Sequence, residues 1–396
     1  MILEQVSWLD CLVFLLFLAP QLIYRVGFFQ TVSCALQALP FLLVKLPICF
    51  IQERYRTPFQ NRSPFVQRSE WFEDLAVGCV RYAFRQIPAH ISRVFFSRYV
   101  ALPFMRFRML RLGYFKSPVH WQEIKMNTFQ GLWISDGVNP DPDIILYYIH
   151  GGGFSLGSCH FYLEFLITML DQLKATGYRA PAIFALEYTL VPDESYPVQI
   201  HQVISAYKNL CVNHDPSRIV LSGDSAGGTL ALNLLLHIAK EQLNDSSRSN
   251  RWRMEVPAMA VLISPWVTLV SSKDKNNASD YLDAEHLHHY ARQYAGNKIS
   301  VHGPLISPGD CRDLDLWRKA SPTKGFFFCY GAEELFAPEI RDLVEHLELA
   351  EIEIDARVET GGIHVWPITA WFLRSTKEDR LRGIKIMATG IREPPG

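Results

Sequence analysis

The sequence predicts an α/β protein: a mostly parallel central β-sheet with helices on both faces, a helical cap, and an apolar helical segment at the amino terminus that associates with a membrane. Three observations carry the sheet. Short β-branched and aromatic runs recur between Asp143 and Glu359. Those before the last, 353–359, are largely apolar, as strands buried on both faces are. Helical patterns alternate with them, which implies parallel strands joined by crossovers.

Taken in order, the chain opens on two almost continuously apolar runs, Trp8 to Tyr24 and Phe28 to Ile51. A span needs about 20 apolar residues. The first run carries Asp10, Pro20 and Gln21, and the second is interrupted by Gln30, Gln37, Pro40, Lys45 and Pro47. Neither reads as a clean transmembrane helix. Helices lying in the interface, or a re-entrant anchor, are the favoured reading, against packing onto a soluble domain or one true span. Glu4 and Asp10 stand where a cleaved signal peptide would be basic. The expected location is a membrane surface, an endomembrane such as the endoplasmic reticulum.

Residues 53–117 change to mixed charge and aromatics in helical patterns, with many arginines between Arg93 and Arg111. Those arginines suit either acidic headgroups or a solvated face. Strand and helix texture begins near Pro118. The expected strands are 143–150, 180–188, 218–223, 258–264, 325–331 and 353–359. Helices are expected from about Val198 and directly after Ser225.

Composition narrows the function. The chain has 396 residues, 49% hydrophobic and 20% charged, with a net charge of −1, so nothing resembles a nucleic-acid footprint. Its eight cysteines form no CxxC pair and no His/Cys cluster at zinc spacing. Most are expected to be small buried residues, and neither a metal nor an organic cofactor is implied. Sequons begin at Asn61, Asn244 and Asn277, the first followed by Ser63 and Pro64.

The chemistry sits in four stretches. "GDSAGG", Gly223 to Gly228, lies between a strand and a helix. Small flanking residues allow a sharp turn that exposes the Ser225 hydroxyl, and the helix directs its positive end at that oxygen. "HGGGF", His150 to Phe154, follows a strand, and its glycines let backbone N–H groups point inward. Gly152 and Gly153, with the N–H of Ala226, are the candidate oxyanion donors, each worth about 2.7–4 kcal/mol of barrier. His150 is expected to orient this loop, not to act as base.

A nucleophilic serine needs an imidazole and a carboxylate that holds it. "TGGIHVWP" puts His364 in the loop after the last expected strand. His286, His288 and His289 lie in a polar helical stretch and face solvent or a cap. "YGAEELFAPE" offers Glu333 and Glu334, and either carboxylate can reach the sheet edge.

"HGGGF", "GDSAGG", "EYTLVPDESYP" and "GGIHVWP" together resemble the hormone-sensitive-lipase-like branch of the α/β-hydrolases, over roughly Pro118 to Arg382. The resemblance implies the α/β-hydrolase fold and the order nucleophile Ser225, acid Glu334, base His364. It prefers Glu334 because the family's acid lies three positions after a glycine that ends a strand, here Gly331. Many relatives carry aspartate there, and "LVPDE" replaces a more usual "LAPE". The domains implied are an apolar membrane-associated segment at 1–52, a helical region at 53–117 that forms part of a cap, and a catalytic domain at 118–396 with a cap insertion at about 265–308.

The expected activity is a serine carboxylic-ester hydrolase, esterase- or lipase-like or a deacetylase, acting on a small lipophilic ester. The same residues would serve an amidase or an acyltransferase. A non-catalytic ligand-binding protein on a disabled hydrolase fold predicts a lost triad position, and none is lost here.

Overall fold

The computed structural model describes residues 3–117, 119–137, 141–244 and 254–392. Pro118, the expected domain boundary, lies outside them, and so do the side chain of Asn244 and the rest of its sequon.

Eight strands make one sheet: β1 (His120–Lys125), β2 (Gln130–Ser135), β3 (Ile144–Ile149), β4 (Pro181–Glu187), β5 (Ile219–Asp224), β6 (Met259–Ile263), β7 (Phe326–Gly331) and β8 (Ile354–Glu359). Their spatial order is β1-β2-β4-β3-β5-β6-β7-β8. The pairings β1/β2 and β2/β4 are antiparallel, and the others are parallel. Every residue of β3, β5, β6 and β7 is buried, which is why those strands read as unbroken apolar runs. All six expected strands form. The β1/β2 hairpin was not expected, because "HWQEIK" is an edge strand whose exposed positions dilute its apolar signal.

Helices cover both faces. Leu163–Ala175 and Lys377–Arg392 pack on one another along one layer, while Val198–Asn213, Ala226–Asn244, Leu314–Ala320 and Ala337–Leu349 form a contiguous second layer. This is the α/β-hydrolase fold.

The amino terminus differs from the reading of an interrupted apolar run. Helix α1 (Trp8–Val26) is followed by one continuous helix, α2 (Phe28–Arg56), and each is long and apolar enough to cross a membrane. Pro40 and Pro47 do not break α2, and a π-helical turn at Phe41–Lys45 lies between them. Leu16 and Leu43 are each 70% exposed, so both helices present apolar surface. The inner face of α1 is fixed to the domain by charge. Asp10, fully buried, accepts from Arg111 at 2.8 Å and lies 3.4 Å from the equally buried Arg108, which also donates to Glu164 at 3.0 Å.

The arginine-rich stretch is only partly turned inward: Arg108 is buried, Arg93, Arg98 and Arg111 are half-buried, and Arg106 is exposed. Arg93 pairs with Asp193 and Arg98 with Glu123, both at partly exposed positions. Helix α3 (Trp71–Gln86) packs under α2: Phe41 stacks on Tyr82 with ring centroids 4.3 Å apart. The cysteines also depart from expectation. Cys159, Cys311 and Cys329 are buried, and the other five are half-buried.

Candidate active site

The carboxyl ends of β3, β5, β6, β7 and β8 point to one edge of the sheet, and each loop leaving them carries a residue of the site. After β5 the chain turns so sharply that Ser225 adopts φ +50°, a left-handed conformation costing about 1–3 kcal/mol in a non-glycine residue. Two backbone bonds hold it there: Ser225 N–H donates to the Ile263 carbonyl and its own carbonyl accepts from Trp266 N–H, both at 3.0 Å. The flanking glycines are required by close approach, since a Cβ on Gly223 would come within 2.6 Å of the Gly227 carbonyl. Ala226 begins the helix Ala226–Asn244, aiming its amino end at the serine.

Beside this turn runs the loop Gly151–Phe154. Gly152 has φ +106°, and a Cβ there would run into the Leu156 carbonyl, so only glycine fits. Among the described residues the N–H groups of Gly152 and Gly153 donate to no protein acceptor. The loop is braced from below. Asp224, buried, accepts from Tyr148 Oη at 2.6 Å, Tyr162 Oη at 2.9 Å and the Gly151 N–H at 2.8 Å. His150 directs Nδ1–H at the Gly151 carbonyl at 2.8 Å and stacks on Tyr188, whose hydroxyl donates to the His150 carbonyl at 3.0 Å. That is an orienting arrangement.

His364 follows β8 and Glu334 follows β7. Nδ1 of His364 lies 3.8 Å from Oε2 of Glu334. Glu334 Oε2 accepts from Ser264 Oγ at 2.6 Å and from Gly331 N–H at 3.2 Å. Glu333 points elsewhere and is half-buried, its carbonyl accepting from Asn277 Nδ2 at 2.9 Å. Burial pushes the Glu334 carboxyl well above its ordinary value and pulls the His364 imidazole down to about 3. One cause acts on charges of opposite sign, favouring the neutral form of each. His286 and His288 bond to Asp283 and Asp274 on and beside the helix Ala284–Ala295, apart from this group.

Three residues of the site had no role in the sequence reading. Ser264, itself at φ +45°, donates to Glu334 and accepts from the Val365 N–H at 3.0 Å, tying acid and base segments together. Asp280, fully buried, accepts the backbone N–H groups of His364 at 3.1 Å, Leu335 at 2.8 Å and Tyr281 at 2.9 Å. Burial, only partly offset by those three donors, raises its pKa to about 6. Tyr290 closes on the oxyanion loop, its Cδ2 2.9 Å from where a Cβ on Gly153 would stand. Asp224, a fourth such residue, at least had a local signal, as the residue before the serine. The others reach the site through folding alone.

Comparison with known proteins agrees with this fold. A bacterial esterase of the hormone-sensitive lipase family superposes with a TM-score of 0.65 at 22% identity, over 83% of this chain and 99% of that one. The acetyl-hydrolase of Streptomyces hygroscopicus is 28% identical over 258 residues, 63% of this chain and 76% of that one. Steryl acetyl hydrolase 1 of Saccharomyces cerevisiae is 24% identical over 253 residues, 59% of this chain and 56% of that one. A Schizosaccharomyces pombe relative, 26% identical, is matched over 59% of its length. The chain thus spans less than two thirds of either yeast relative. A family model described as steryl acetyl hydrolase matches residues 36–385, and on that extent this chain belongs to the steryl acetyl hydrolase family.

Proposed function

We propose that this protein is a serine carboxylic-ester hydrolase that removes a short acyl group, acetate in the first instance, from a lipophilic alcohol. The observation that carries the reading is the strained Ser225 turn sharing its sheet edge with His364 and Glu334. The Ser225 oxygen bonds to the acyl carbon as Nε2 of His364 takes its proton. The carbonyl π pair moves to oxygen, where the N–H groups of Gly152, Gly153 and Ala226 receive it. Collapse expels the alcohol oxygen, which takes the proton back from His364 and leaves an acyl-serine. Water, deprotonated by His364, repeats the sequence and releases the acid. Glu334 stabilises the imidazolium in both halves.

The lipophilic substrate is supported by the family's description and by the apolar faces of α1 and α2, which would hold the protein on a membrane surface such as the endoplasmic reticulum. Residues 265–308, with Tyr290 against the oxyanion loop, would form the cap, and a ring in that position favours a small acyl group.

The test compares the detergent-solubilised protein with Ser225→Ala on p-nitrophenyl esters from acetate to palmitate, then on a steryl acetate. Expected are fastest turnover of the acetates and a loss of at least about 10^4-fold in the variant. Absence of turnover by folded wild type would overturn the reading.

A further inference from the structure

Apart from the triad, metal-ligating side chains converge at one further place among the described residues. The oxyanion loop continues into Gly157–His160, and Glu187 ends β4. One ligand atom each from Cys159, His160 and Glu187 lie within 4.8 Å of one another. Cys159 Sγ is 3.6 Å from His160 Nδ1, and Glu187 accepts the Cys159 N–H at 2.6 Å. On the far side of the ring, Nε2 of His160 faces Oε1 of Glu123 on β1 at 3.6 Å. That is too long for a hydrogen bond, and Nε2 is buried without a partner. The group borders a cavity of about 480 Å³ that also reaches Arg25 at the end of α1.

A loop anchor explains the Cys159 N–H and Glu187 bond. It does not explain why a buried thiol, an imidazole nitrogen and a carboxylate oxygen converge within one ligand shell.

We propose that Cys159, His160 and Glu187 form a binding site for a thiophilic divalent cation, best suited to Zn²⁺, with Glu123 holding the outward N–H of the His160 ring. Thiolate, imidazole and carboxylate are zinc's preferred donors at about 2.0–2.3 Å, which sets tetrahedral ligand separations of about 3.3–3.8 Å. A modest inward movement from the present spacing meets them. Water from the cavity supplies the fourth position. As the Sγ–Zn bond forms, the Cys159 proton passes to solvent. His160 binds through the Nδ1 lone pair and keeps its proton on Nε2, toward Glu123, the carboxylate–histidine–metal arrangement that fixes a ligating ring. Zn²⁺, thiolate and Glu187 carboxylate sum to no net charge, so the buried site needs no further counter-ion. Sequence spacing does not reveal this site, since only two of its ligands are neighbours in the chain.

The site would act on the oxyanion loop. Gly157 packs against the Gly151 carbonyl and the His150 ring, and Tyr188, next to Glu187, braces the His150 carbonyl. A cation there ties both supports together.

The experiment uses the full chain in detergent, stripped with a chelator and titrated with Zn²⁺ against a chromophoric competitor. Expected is one equivalent bound, weakened at least tenfold by Cys159→Ser and by His160→Gln and about tenfold by Glu123→Gln. Co²⁺ should give a thiolate charge-transfer band that Cys159→Ser removes. Thermal unfolding checks that the variants are folded. If Cys159→Ser does not fold, the wild-type Co²⁺ spectrum and Glu123→Gln decide. Absence of a stoichiometric site, or variants that bind as wild type, overturns the proposal.

Discussion

Nδ1 of His364 stands 3.8 Å from Oε2 of Glu334, and neither that nitrogen nor the other carboxylate oxygen of Glu334 has a hydrogen-bond partner among the described residues. Both groups are buried with hydrogen-bonding capacity to spare, and a small closure of the 3.8 Å gap to Oε2 turns it into a charge-assisted bond. Such bonds are often long before substrate arrives.

The acid is therefore testable at neighbouring positions. Glu334→Gln should lower kcat by about 10^2–10^4-fold, because the amide can still fill the space but cannot stabilise an imidazolium. Glu333→Gln should leave kcat within about twofold. Equal losses in the two variants would remove Glu334 from its role.

Acid pH offers a second check. A general base works as free imidazole, so activity rises as pH climbs through its pKa. Burial brings His364 from its ordinary value, about 6.5, down to about 3, which moves that limb to lower pH. The kcat/KM for a soluble acetate ester should hold nearly constant from about pH 8 to below about pH 6. A limb centred at or above 6.5 would contradict a buried, neutral base.

Asp280 holds the backbone of His364, so on the proposed mechanism it would position the base. Replacement by Asn keeps the shape but turns one acceptor into a donor, leaving a buried N–H of His364 or Leu335 unpaired at a cost of about 1–3 kcal/mol. We expect kcat to fall about 10- to 100-fold with KM little changed. A rise in KM at constant kcat would assign Asp280 to substrate binding instead.

Removing Asp10 leaves Arg108 and Arg111 without their shared carboxylate, and Arg108 is fully buried. Breaking a buried pair by deleting one partner costs about 3–5 kcal/mol. Asp10→Ala should therefore lower the unfolding midpoint in denaturant markedly, and Asp10→Asn less so. An unchanged midpoint would mean that α1 is not held by this carboxylate.

How much was legible in the sequence follows from how each residue reaches its place. Strands β3 to β7 were visible because burial on both faces makes them largely apolar, whereas β8, half-exposed at the sheet edge, showed only in the alternation of its sequence. Ser225, Gly152 and Gly153 sit in local turns whose geometry demands particular small residues, so the motif carries the shape. Ser264 and Asp280 carry no such local demand. A serine after a strand and an aspartate in a polar insertion look ordinary until β6 and the 265–308 segment meet His364. Long α2 was misread for a related reason: proline signals a break locally, whereas the helix runs on past both prolines with a π-helical turn between them. The pairing of the arginine row was not legible because its partners, Asp10, Glu123, Glu164 and Asp193, are remote in sequence.

The order of the strands also bears on synthesis. Ser225 leaves the ribosome with its turn and its oxyanion loop already encoded, while His364 arrives with β8, an edge strand near the end of the chain. On the proposed mechanism, a nascent or truncated chain ending before β8 would hold a nucleophile with no base. Completion of the last edge strand would then be the event that arms the molecule, and an unfinished copy would be inert.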